Sequence, residues 1–351
     1  MKLRAASLYP LLRKFSVSGL ALISLLSGSP PPAAAQKNLD VIDSVQKPDW
    51  APGAIEHAQD MRRFRDVDQS SQATPPIIPK FEVDPDPTGR IATFTPGVAT
   101  ITANNAFFKN MGTNGRTCFT CHQPQTGWTI SAASARARFE ASAGLEPLFR
   151  TVDGATCPSA NVSTFEARRQ AYKLLTDKGL IRIGIKLPVP PVVLEFAMIG
   201  VHDPYGCTTN PATGLTSPTT GTVSMYRRPL PSTNLPFLSA IMWDGREPSL
   251  SNQSVDATLI HAQADPTKPP TPAQQAEIVA FETGLFTAQV FDNNAGVLNA
   301  ASATGGPVAL SLQKFFTGIN DPINPPSPPG FFDPNIFDLY RPWLGLPAVA
   351  S

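Results

Sequence analysis

The clearest periodicity in the chain lies at residues 271–287, where Ile278, Phe281, Leu285 and Phe286 recur at the three-to-four spacing of a helical face. Thr271 stands where a helix needs a capping hydroxyl. Pro272 fits the first turn, whose backbone donors have no partner inside the helix. A second pattern predicts a helix over 163–177. There Ser163 and Glu166 make a capping box, Phe165, Tyr172 and Leu175 an apolar stripe, and Gly179 a stop. A short amphipathic helix is expected from about Thr102, with Ala106, Phe107 and Met111 on one face. Residues 187–201 are apolar, β-branched and bounded by proline, which predicts a short strand or hairpin, with helix as the alternative.

Elsewhere the pattern is broken by proline. Residues 74–90 hold five prolines and little periodic hydrophobicity, so 36–95 reads as an extended N-terminal arm. A loop rich in Gly, Ala and Asn follows residue 287, and 296–351 reads as a Pro-rich tail. With 38 prolines in 351 residues, against a usual share of about 5%, the chain should form short helices joined by long ordered loops, mainly α with little β. No fixed-period repeat is present. Charges are sparse and balanced to a formal +1, which argues against nucleic acid or an anionic membrane as partner.

The first 35 residues read as an export signal, and cleavage is expected near Ala35. Lys2, Arg4, Arg13 and Lys14 form a basic region, an apolar stretch runs from Phe15 to Leu26, and Ala33-Ala34-Ala35 is a small-residue cleavage site. The apolar stretch is short for a membrane span, and no other segment approaches one. The mature chain is therefore expected in the periplasm, with no membrane association after cleavage.

The chemistry concentrates in CFTCH, residues 118–122. Cys-x-x-Cys-His is the attachment signature of haem c: Cys118 and Cys121 would form thioethers to the porphyrin, and His122 would be the proximal iron ligand. A redox disulfide and half a zinc site are the alternatives. Neither needs the histidine, and a zinc site would need two more ligands, for which Cys157 and Cys207 lack paired spacing. Export favours haem attachment. It also favours a Cys157–Cys207 disulfide, which would close a loop of about 50 residues and contribute about 4 kcal/mol on the loop-entropy model.

Residues 227–253, RRPLPSTNLPFLSAIMWDGREPSLSNQ, resemble the peroxidatic-haem half of the bacterial di-haem cytochrome c peroxidases and MauG-like enzymes. The matching positions are Arg228, Pro231, Asn234, Trp243, Asp244, Gly245, Arg246, Leu250 and Gln253, and EIVAFETGLFTAQ resembles that family's F-E helix. The resemblance covers about residues 100–290 and implies a cytochrome c-like haem domain, placed here at 96–295. It implies that Trp243 helps electrons pass, that Gln253 lies where peroxide binds, and that Asn234 and Arg246 hold structure around the haem. Asp244 and Arg246 are expected to pin their loop.

The chain departs from the family pattern in three places. The catalytic glutamate should lie some ten residues beyond the glutamine, but LIHAQAD there offers His261 and Gln263. His261 could act as acid–base catalyst or bind the iron. No histidine follows His122 before His202, so a sixth ligand would come from His261, His202, Met198 or Met242, or be absent. Finally, the chain ends at WLGLPAVAS, where the family has a second CxxCH domain. The leading expectation is a periplasmic c-type haem oxidoreductase that reduces hydrogen peroxide or another small oxidant. Its electrons would come from a small donor protein such as a cytochrome, and Gln253, His261 and Trp243 would serve catalysis. The alternatives are a mono-haem electron carrier and a truncated remnant of a di-haem enzyme.

Overall fold

Residues 77–94 do not form an arm; they form strands. In this computed structural model β1 (Ile77–Ile78) pairs with β4 (Thr100–Ile101). Strand β2 (Phe81–Asp86) turns back on β3 (Gly89–Phe94) through a turn in which the Thr88 N–H donates to Asp86 Oδ1. Strand β3 pairs in turn with β7 (Phe286–Asp292), which pairs with β8 (Gly296–Val297), giving the antiparallel order β2-β3-β7-β8. Pro85 is tolerated because β2 is the edge of that sheet, where one side of the strand needs no donor. A third pair joins β5 (Ile181–Lys186) to β6 (Thr222–Arg227). The expectation of a mainly α fold is therefore incorrect: among the described residues helix takes 30% and strand 16%, in several sheets.

The described residues are 74–186, 204, 205, 207, 222–324 and 332–346, all within the unit Ala51–Pro347. The export-signal segment, the stretch 187–201, Met198 and His202 lie outside them. No described helix is long and apolar enough to cross a membrane.

Helices form where side chains cap them. Helix α1 (Ala132–Ser142) starts at Ser131, whose hydroxyl accepts the Ser134 N–H. The helix expected over 163–177 is two: α2 (Phe165–Ala171), capped by Thr164 rather than Ser163, and α3 (Lys173–Lys178), divided at Tyr172. Gly179 ends the second in the left-handed region, as its lack of a Cβ allows. Helix α4 (Leu250–Ile260) follows the Ser249 cap. Helix α5 (Pro272–Thr283) has the Thr271 cap and first-turn proline read from the sequence, but stops at Gly284. Leu285 and Phe286, although helically spaced, belong to the approach and start of β7. In place of a helix from Thr102 there are two 3-10 turns, Thr102–Asn104 and Ala106–Phe108. The tail is also ordered in part: α6 (Pro307–Leu310) follows Gly306, and Phe315 and Phe337 pack with Phe237.

Two apolar cores hold this together. The first gathers Phe107, Phe108, Phe119, Trp128, Ile278, Phe281 and Leu285; the second gathers Ile130, Phe139, Leu148, Phe149, Tyr172 and Leu175. Each large side chain so buried stabilises the fold by about 1.5–3 kcal/mol.

The turn at the end of α4 lies directly on the chain before the CFTCH motif. A Cβ at Gly112 would collide with the Ala262 carbonyl oxygen, the same atom that accepts the Thr113 N–H. Gly112→Ala is expected to destabilise the protein by about 1–3 kcal/mol, read as a fall in the midpoint of thermal or urea unfolding. An unchanged midpoint would mean that the approach is not close in solution.

Candidate functional site

CFTCH sits between the two cores. Residues Cys118–Thr120 make one 3-10 turn, closed by reciprocal hydrogen bonding of Thr117 and Thr120. Phe119 drives into the first core, Cys118 packs against that same core, and Cys121 packs against the second. Both thiols are free. Burial raises the pKa of each, so both stay protonated at neutral pH. They line one cavity together with His122, and that cavity encloses about 1430 Å³ including its open mouth.

The imidazole of His122 is oriented by its own loop. The chain turns back through Gly127 so that Trp128, fully buried, presents its carbonyl to His122 Nδ1 at 2.8 Å. A carbonyl only accepts, so Nδ1 carries the hydrogen and Nε2 is left as a lone pair. Ser232 Oγ stands 3.0 Å from the same Nδ1, and the Ser232 N–H donates to the Trp128 carbonyl. Burial pulls the pKa of His122 down; the Trp128 carbonyl opposes this and His261 adds to it, favouring a neutral ring.

A different wall comes from α4. Leu250, Gln253, Ser254, Ala257, Thr258 and His261 line the cavity at the spacing of one helical face. Two residues predicted from sequence, Gln253 and His261, are thus brought together with the CFTCH motif. Gln263 is not: it sits in the left-handed region and its side chain accepts from Asn114 at 3.3 Å. His261 Nδ1 lies 2.6 Å from Asp153 Oδ2, and Arg116 Nη1 reaches the same oxygen at 2.7 Å. Burial works to raise the Asp153 pKa, but the Arg116 charge and the His261 contact outweigh it and hold the carboxyl below its ordinary range.

The WDGRE segment forms the mouth. Trp243 is 59% exposed, not a core aromatic, and its indole N–H donates to the Arg228 carbonyl. Asp244 joins Arg227 at 3.0 Å and Arg246 at 2.9 Å, pinning the loop as anticipated. Arg246, Met242 and Trp243 line the cavity. Asn234 does not: its amide bonds both the N–H and carbonyl of Thr287, holding backbone in the left-handed region.

Four groups at the site escaped the sequence reading: Trp128, Asp153, Arg116 and Glu282. Arg116 stands two residues before Cys118, and Glu282 lies in α5. Glu282 lines the cavity and leaves Oε2 buried without a partner. Cys157 and Cys207 are joined to each other, with Cα atoms 5.5 Å apart, which removes them as zinc ligands for the motif. Among the described residues no group of three or more His, Cys, Asp or Glu side chains assembles as a metal-ion site. The donor set suits haem c instead: two free thiols and an imidazole with a free Nε2, on the wall of a largely apolar cavity.

No protein-family model, no curated protein and no solved structure matches this chain.

Burial pushes the Glu282 carboxyl up to about 7. The folded chain keeps that proton where the unfolded chain has lost it. Glu282 therefore favours folding at acidic pH, and the advantage fades as pH rises from 4.5 through about 7. Between about pH 5 and pH 8 the unmodified protein should lose more stability than Glu282→Gln, by about 1–3 kcal/mol, in urea-unfolding titrations. Equal losses would show that Glu282 is not shifted.

Proposed function

We propose that this chain is an exported c-type haem protein of peroxidase type. It reduces hydrogen peroxide or another small oxidant with electrons from a small donor protein such as a cytochrome. The observation that carries this reading is His122: its Nδ1 is tied to Trp128, and its Nε2 is free on a cavity shared with two free thiols, Gln253 and His261. Cys118 and Cys121 would hold the haem, and His122 would be its proximal ligand. The haem would supply an iron that exchanges single electrons and can bind and activate peroxide.

The remaining roles belong to the chain itself. His261 takes a proton from the incoming peroxide and returns it to the departing oxygen, the work of a general acid–base. Gln253 offers an amide that both donates and accepts, suited to orienting a peroxide. Trp243, exposed at the mouth, is the entry for electrons from the donor protein. Two electrons and two protons convert one peroxide to two waters. The export-signal pattern of residues 1–35 supports periplasmic placement, where c-type haem is attached.

A mono-haem electron carrier is the second reading, favoured by the same geometry: His122 and His261 line one cavity, and both would then hold the iron. The ferric spectrum of haem-loaded protein separates the two. The peroxidase reading expects high-spin iron that binds cyanide, and a reduced cytochrome that is oxidised when peroxide is added. His261→Ala should then slow peroxide turnover 10²–10⁴-fold. A low-spin spectrum indifferent to cyanide would reject the peroxidase reading in favour of the carrier.

A further inference from the structure

We propose that Asp153, clamped by Arg116, is a positioning residue for His261: it decides which imidazole nitrogen faces the cavity and makes that nitrogen a proton acceptor. The inference rests on the haem reading above and extends it to residues that the motifs do not touch.

Asp153 and Arg116 each have side chains only 4% exposed. Arg116 cannot lose its charge, and its N–H groups are spent on the Pro147, Leu148 and His261 carbonyls and on Asp153. Asp153 is fixed from the other side too, since its carbonyl accepts the Arg182 N–H at 2.8 Å. An ionised carboxylate only accepts, so the His261 nitrogen 2.6 Å from it carries the hydrogen. The other nitrogen, Nε2, is then a lone pair. The His261 carbonyl is held as well, by Asn114 at 2.8 Å and Arg116 at 3.2 Å. The backbone is thus tethered by the segment that leads into CFTCH and the ring by Asp153, which Arg116 of that segment holds, and the ring lines the same cavity as His122. A plain structural ion pair would need Arg116 and Asp153 alone. The short contact to a cavity-lining imidazole is what a tautomer-setting carboxylate provides.

Cyanide is the probe. At neutral pH it is present as HCN, and it binds ferric iron as the anion. Its proton must therefore pass to a base: the H–C bond breaks, His261 Nε2 gains the proton, carbon bonds iron, and nothing is oxidised or reduced. Association rates are measured by stopped flow at neutral pH on the full-length haem-loaded protein and on Asp153→Asn, Asp153→Glu and His261→Ala. His261→Ala should be slow. Asp153→Asn should be about 10–100-fold slower than the unmodified protein. Asp153→Glu, which keeps the carboxylate, should stay within a few-fold of the unmodified rate.

An Asp153→Asn protein with the unmodified rate would overturn the proposal. If that variant does not fold, a His261→Ala protein with the unmodified rate overturns it equally. Colourless protein, or ferric iron that ignores cyanide, would defeat the underlying haem or peroxidase reading. Either is seen before any variant is made, so the two failures are distinct.

Discussion

A guanidinium keeps its charge at any pH a protein meets, so burying one obliges the surrounding chain to supply acceptors. Arg116 is buried and finds them in three places: the loop carrying Pro147 and Leu148, the Asp153 carboxylate, and the His261 carbonyl at the end of α4. Removing one member of such a buried pair typically costs about 3–5 kcal/mol, because the charge left behind has no compensation. An apolar replacement for the whole cluster could be as stable. What the charged version contributes is geometry: the segment entering CFTCH, the 146–153 loop and the last turn of α4 have one way to meet. The walls of the cavity are set by that meeting.

A second constraint acts on the motif itself. Cys118 leans on the core built from Phe107, Trp128 and Phe281, and Cys121 leans on the core built from Phe139, Phe149 and Tyr172. The intervening turn spans both, with Phe119 as its anchor. Trp128 links this to function through one atom, because its carbonyl accepts both the Ser232 N–H and the His122 ring. Packing of the indole therefore positions the hydrogen bond that leaves Nε2 of His122 free. On the proposed reading, a flat apolar cofactor would fill the space between the cores and take its place in the packing.

What the sequence makes legible follows from how local each signal is. CFTCH is contiguous, and Thr271–Pro272 capping depends on neighbours a few residues apart, so both could be read directly. The helix that carries Gln253 and His261 was not predicted, although its Ser249 cap is a local signal of the same kind. The β2–β3 hairpin was hidden because Pro85 argues against strand unless the strand is known to be an edge, and that is a property of the whole sheet. Phe286 keeps helical spacing after Gly284, but pairing with Phe94 takes it into β7. Asp153 carries no local pattern: its partners Arg116 and His261 lie 37 and 108 residues away in sequence. Asn234 shows the converse. Its match to a family motif suggested that it fixes backbone near the haem; its amide does hold the Thr287 backbone, but the residue does not line the cavity.

The account stands or falls on a covalent bond between porphyrin and residues 118–122. Intact-mass and peptide-mass measurement, after expression with a periplasmic haem-attachment system, addresses it most directly. The expected result is one haem added to the polypeptide, localised to the peptide containing Cys118 and Cys121 and lost when both cysteines are replaced by alanine. A polypeptide of unmodified mass, or one whose haem departs on denaturation, would contradict it.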